Sequence, residues 1–353
     1  MIKPRIEEIK NNNKKENMNK ITKILVAISF LFSVVSANAG ELTVTGNMEA
    51  TYSTTANTTT GNPLGMDKEL KFAASSELDS GITVSVMQDT SDALAFGNSQ
   101  IAFGNIMGLA TVYVGSDSDP LDAIDDITPT AYEEANGSNS GTYVDIGSLA
   151  GEMGIGTKFD IPFLGALNAK YYPKADGAKN ADNKNSGDAS GSTGAGSTIT
   201  IKTDLGALDS IFDGATVTTG YSETETSTAS NTSDNQEGTV AINYAYGPVS
   251  LGMQRKHAYL GVTDAGLDRI SHYDLVSGIA YAVNDNLSLS FNRYTSKRHS
   301  EQVQNSVQET DAISIGYTIG GMTIGFQDAT TDNANYVLDA KDDSRTLGVA
   351  VAF

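Results

Sequence analysis

The chain closes on S-R-T-L-G-V-A-V-A-F, residues Ser344 to Phe353. Leu347, Val349, Val351 and Phe353 fall on one face of an extended backbone, and Thr346, Gly348, Ala350 and Ala352 on the other. The apolar run reaches the last residue without a polar tail, whereas domain ends are usually polar and frayed. Such a strand is expected where a barrel closes in lipid, with large residues toward hydrocarbon and small or polar ones toward a lumen. An edge strand of a soluble sheet that stops at Phe353 would look the same, so the remainder of the chain must decide.

Residues 1–39 read as a targeting segment. Met18-Asn19-Lys20-Ile21-Thr22-Lys23 is a short basic region, and Ile24 to Val35 is an apolar core of secretory length. Ala37-Asn38-Ala39 supplies a small-x-small cleavage site, which predicts a mature start at Gly40. Residues 1–17 match no part of such a signal, which points to initiation at Met18. An uncleaved anchor is the alternative; against it stand the small-residue site and the change to strand pattern at Glu41. The mature domain is then 40–353.

Composition narrows the class. Without residues 1–39, 16 basic residues face 40 acidic ones, a net charge of −24. That balance excludes nucleic acid as a partner, since such binding depends on Lys and Arg neutralising phosphates. With no Cys in an exported chain, stability cannot come from disulfides. No helical run of about twenty apolar residues follows residue 39, so a chain that spans a membrane must do so as a closed sheet.

After Gly40 the sequence alternates with a period of two. Leu42, Val44, Met48 and Tyr52 share one face; Thr43, Thr45, Asn47, Glu49 and Thr51 share the other. The same pattern recurs through Leu287/Leu289/Phe291, Ile313/Ile315/Tyr317 and Met322/Ile324/Phe326 to the final strand, making sixteen segments. Connections alternate in length: 77–80, 105–108, 161–165, 205–214, 247–248, 283–286 and 319–321 are short. Between them, 53–66, 90–97, 116–151, 173–196, 223–237, 258–270, 296–308 and 328–343 are long. This parity predicts an all-β, transmembrane, antiparallel up-and-down barrel of about 16 strands, with short periplasmic turns and long external loops. A Greek-key sandwich has no cause to alternate in this way.

The whole mature chain resembles the general diffusion porins of Gram-negative outer membranes. The alternating last strand with its terminal Phe carries the resemblance, as does the hairpin Tyr281 to Tyr294 (YAVNDNLSLSFNRY). The chain departs from the family pattern in having no Trp, and it has fewer Lys and Arg than anion-selective relatives. The resemblance implies a sixteen-stranded homotrimer in outer-membrane lipid that passes small hydrophilic solutes and ions. It also implies that Leu347, Val349, Val351 and Phe353 form the signal read by the barrel-assembly machinery. The third long loop, 116–151, is implied to fold inward as the pore constriction, which assigns Asp117, Asp119, Asp122, Asp125, Asp126, Glu133 and Glu134 to it. A solvated acidic loop is the plainer reading of such a run.

Registering the strands by their apolar faces puts Lys71, Lys158, Lys170, Lys202 and Lys256 on the lumen wall, with Glu49, Asp160 and Asp204. Loop carboxylates opposed by wall lysines predict a transverse field and a weak cation preference; local pairing with Asp160 or Asp204 is the alternative. His257, His272 and His299 have no metal-ligand spacing. His272 and Asp274 share a strand face while Ser271 points the other way, so no catalytic constellation forms and no cofactor is expected. Asp176, Asp182 and Asp188 stand at six-residue steps in a Gly/Ser/Asn-rich loop without an EF-hand pattern. A surface-exposed adhesin, or a structural outer-membrane protein without channel activity, is the competing class, but no solenoid period supports it.

Overall fold

The computed structural model describes residues 40, 42–55, 61–90, 96–117, 119–136, 145–162, 164–174, 193–226, 234–263, 268–300 and 306–353. The leader 1–39 with Met18, and Asp176, Asp182 and Asp188, lie outside the described residues.

Sixteen strands are found among the described residues: β1 (Thr43–Thr55), β2 (Leu64–Glu77), β3 (Thr83–Thr90), β4 (Phe96–Ile106), β5 (Ala110–Gly115), β6 (Gly154–Ile161), β7 (Gly165–Tyr172) and β8 (Thr193–Asp204). They continue as β9 (Ala215–Thr226), β10 (Asn235–Tyr246), β11 (Val249–Thr263), β12 (Asp268–Ala282), β13 (Leu287–His299), β14 (Val307–Ile319), β15 (Met322–Asp332) and β16 (Lys341–Ala352). Each pairs antiparallel with its neighbours in the chain, and β1 pairs with β16 to close the barrel. Closure satisfies every edge, which the hydrocarbon interior requires because it offers no water to an unpaired backbone group.

Directly paired residues share a face, so the register orients every strand. Leu289 faces Ile315, Ile315 faces Phe326 and Phe326 faces Leu347; all four are exposed, and they form part of the apolar outer belt. The belt ends where charge begins. Arg293 donates twice to Asp311 at 2.6 Å, and Arg345 donates to Asp328 at 3.0 Å, both on the outer face. On β14 the outward face from Ile319 to Asp311 runs about 26 Å at about 3.3 Å per residue, which a strand tilt of about 40° turns into roughly 20 Å of height, approaching the ~25 Å apolar band of such barrels.

The last strand joins the first through Gly46 N–H to the Phe353 carbonyl at 2.9 Å and Phe353 N–H to the Gly46 carbonyl at 3.0 Å. The Phe353 ring lies over Gly46, where a Cβ would come within 2.6 Å of it.

Several expected external loops are shorter than their sequence implied, those of the last three hairpins among them. Instead of a loop over 258–270, β11 runs to Thr263 and β12 starts at Asp268. Likewise β13 continues to His299, β14 starts at Val307, β15 reaches Asp332 and β16 starts at Lys341. In β13, β14, β15 and β16 both faces above the apolar belt are mostly polar, so the alternation stops while the ladder continues.

Candidate functional site

The segment between β5 and β6 lies inside the barrel, bonded along the inner wall. Asp119 fixes its start: its carboxylate accepts from Tyr172 Oη on β7 at 2.5 Å and Thr198 Oγ1 on β8 at 2.7 Å. The same carboxylate accepts from the backbone N–H of Leu121 and Asp122, turning the chain into a short 3-10 segment, Asp122–Ile124. From there the wall offers amides to the loop backbone. Gln254 on β11 donates to the Ile124 carbonyl and accepts from Ile127 N–H, while Asn243 on β10 donates to the Ile127 carbonyl. Asn292 on β13 donates to the Pro129 carbonyl, and Gln327 on β15 donates to the carbonyls of Glu133 and Glu134. At the far end Tyr132 donates to Glu49 on β1 at 2.5 Å. The loop therefore follows the wall from β7 round to β1.

Its packing is that of a folded element. Leu121 and Ile146 of the loop cluster with Ala258, and Ala135 clusters with Val276, Tyr294, Ala312 and Ala329. The returning limb is held by Glu237 on β10, whose carboxylate accepts from Gly147 and Ser148 N–H. Residues 137–144 lie outside the described residues.

The seven predicted carboxylates divide into two sets. Asp119 and Asp125 are buried and spent on structure: Asp125 accepts from Ile146 N–H and from Lys256 Nζ, both at 3.0 Å. Asp122 is exposed, and Asp117, Asp126, Glu133 and Glu134 are partly exposed. Although Asp122 is exposed as a residue, partial desolvation of its carboxyl raises it, aided by the nearby Asp119 charge. Burial also pushes Glu133 up to about 7, with further contributions from Glu134 and Glu49, and it raises Glu134.

All five predicted lysines point inward by register: Lys158 lies on the face of Thr111, Lys170 on that of Gly156, Lys202 on that of Ala166, and Lys256 on that of Asp274. Lys71 faces Asp89. Their surroundings differ. Lys256 is 1% exposed and bridges Asp125 at 3.0 Å and Asp126 at 3.1 Å. Lys170, also buried, donates to the Asp117 carbonyl at 2.9 Å and stacks on Tyr172. These two do not oppose the loop across water; they lie beneath it, correcting the expectation of five facing lysines. The local-pairing alternative named Asp160 and Asp204, whereas the partners of Lys256 are loop aspartates. Lys71, Lys158 and Lys202 remain exposed. Lys71 and Asp117 line a common space of about 250 Å³, and Ile124 closes one of about 370 Å³ against Lys158, Asp160 and Lys202.

Sequence reading missed the wall amides Gln254, Asn243, Asn292 and Gln327. Their one visible signal is that each stands on the inward face of a strand, where a polar residue needs a partner.

A family model described as Gram-negative porin matches residues 25–323. Among solved structures, the outer-membrane expressed OmpT of Vibrio cholerae superposes with a TM-score of 0.65 at 11% identity, covering 91% of this chain and 100% of that one. An anion-selective porin from Comamonas acidovorans gives 0.62 at 12% identity over 89% and 100%. A mutant of the Rh. blastica porin gives 0.57 at 14% identity over 89% and 100%. No curated protein matches the sequence. Identities this low speak for the fold alone. The family model spans most of the sequence, and the chain belongs to the Gram-negative porins, channels of the outer membrane.

Proposed function

We propose that the protein is a general diffusion channel for small hydrophilic solutes and ions, weakly cation-preferring, with loop 116–151 as its constriction. The observation that carries this reading is the attachment of that loop to the inner wall from Asp119 to Tyr132. In this reading the exposed lysines Lys71, Lys158 and Lys202 stand against the loop carboxylates Asp117, Asp122, Glu133 and Glu134, and Lys71 lines a common space with Asp117. Opposite charges across a narrow water path orient dipolar solutes, while the high dielectric of a wet pore keeps ion selectivity modest. A surface adhesin without a channel is not favoured.

The assembly is a homotrimer in this reading. In this reading residues 1–39 are a cleaved signal peptide with an N-terminal extension ahead of an initiator at Met18, and Leu347, Val349, Val351 and Phe353 form the signal for the assembly machinery. No catalysis and no cofactor are involved.

The test is a zero-current potential across a salt gradient in a planar bilayer. Replacing Asp117 and Asp122 by Asn shifts the potential toward anions. Neutralising Asp176, Asp182 and Asp188 leaves it nearly unchanged, because a Debye length of about 8 Å screens distant external charge. Equal shifts from the two sets would overturn the constriction.

A further inference from the structure

Among the described residues seven inner-wall glycines lie beneath the loop: Gly196 on β8, Gly220 on β9, Gly252 on β11, Gly278 on β12, Gly316 on β14, Gly325 on β15 and Gly348 on β16. They are not scattered. Gly252 faces Gly278 across one ladder, and Gly316, Gly325 and Gly348 are successive partners across two. Glycine weakens a strand interior, and its presence there marks a close approach by another backbone or a ligand.

Here the approaching group is the loop. A Cβ at Gly220 would stand 2.6 Å from Leu121 Cδ1, and one at Gly278 would stand 2.6 Å from the Pro129 carbonyl oxygen. At Gly316 it would overlap the Ala131 carbonyl, at Gly325 the Tyr132 ring, and at Gly348 the Tyr132 hydroxyl. Real Cβ atoms essentially never come within 3.0 Å of such neighbours. Gly104, on the β4 wall that the loop leaves open, is the contrast: a Cβ there meets nothing nearer than Thr111 Oγ1 at 3.6 Å.

We propose that this glycine seam sets the aperture. By removing one layer of side chains it lets the loop rest on wall backbone, where Gln254, Asn292 and Gln327 can bond the loop carbonyls. Any side chain on the seam lifts the loop toward the axis and narrows the path. Gly325 is the positioning residue to test, since the three nearest atoms its Cβ would meet all belong to Tyr132. The inference rests on the reading of loop 116–151 as the constriction.

The experiment measures single-channel conductance for Gly325→Ala, Tyr132→Ala, the double variant and Gly104→Ala, with heat-modifiable gel migration reporting the folded barrel. Gly325→Ala is expected to lose conductance, Tyr132→Ala to gain it, and the double variant to match Tyr132→Ala. Gly104→Ala is expected to behave as the native protein. A Gly325→Ala channel that conducts normally while Tyr132→Ala or the loop aspartate variants alter conduction overturns the seam and leaves the constriction standing. If Tyr132→Ala and the aspartate variants are also silent, the constriction itself fails. An equal loss with and without Tyr132 overturns the proposal, because the effect then runs through the strand. If Gly325→Ala does not fold, recovery in the double variant supports the seam; failure of both overturns it.

Discussion

Lys256 ties the loop to the wall through two aspartates. Its ammonium is buried between Asp125 and Asp126 and lies 5.1 Å from the centre of the Tyr294 ring. Removing one partner of a buried pair costs more than the pair contributes, because the remaining charge is left in a poor solvent. Lys256→Met is therefore expected to weaken loop docking by about 3 kcal/mol while the barrel keeps its heat-modifiable migration. Protease cleavage within 116–153 should become faster; unchanged cleavage would show that the pin lies elsewhere. The inward direction of Lys256 was legible from the period of two. Its partner was not, since 131 positions separate it from Asp125 and only the sweep of the loop brings them together.

Among the elements, β16 was the most legible and the upper halves of β11 to β16 the least. Leu347, Val349 and Val351 alternate in lipid, and lipid demands that alternation. Beyond Arg293 or Asp311 the outward and the buried inward residues of β13 and β14 are both largely polar, so these strands continue without an apolar alternation in their sequence. The docked loop left a weak trace of the same kind: inward glycines on successive strands, visible only once the register is known. The junction of β16 with β1 yields its own prediction. A chain ending at Ala352 loses the two backbone bonds to Gly46 and the ring that covers it. It should be exported normally yet accumulate less folded barrel in the outer membrane. Gly46→Val, which displaces the same ring, should lower the yield in the same direction. Normal insertion of both variants would remove Phe353 from any role in assembly.

At the scale of the molecule, net charge is a poor guide to the pore. The chain carries −20 overall, yet the charges that act on a solute are those at the narrowest place. Glu133, pushed up to about 7 by burial and by Glu134 and Glu49, is neutral below that pH and ionised above it. Cation preference should therefore rise between about pH 6 and pH 8, read as a zero-current potential, and Glu133→Gln should flatten the rise. The linkage has the opposite sign for stability. A carboxyl whose folded value is raised favours the docked loop while protonated, so this contribution is present at acid pH and lost as pH rises through about 7. A potential that is flat with pH in the native protein would overturn both expectations.

The loop leaves β5 and returns to β6, but the seat that receives it is made by strands from β7 round to β1. A sheet of the first six strands has nowhere to lodge it. The seat is complete only when β1 has met β16, because Tyr132 rests on Gly348 of one and bonds Glu49 of the other. Contacts of such long sequence separation form late. On the proposed reading of loop 116–151 as the constriction, a closed barrel whose loop has yet to dock is wider than the finished channel, and discrimination among solutes is expected to come last.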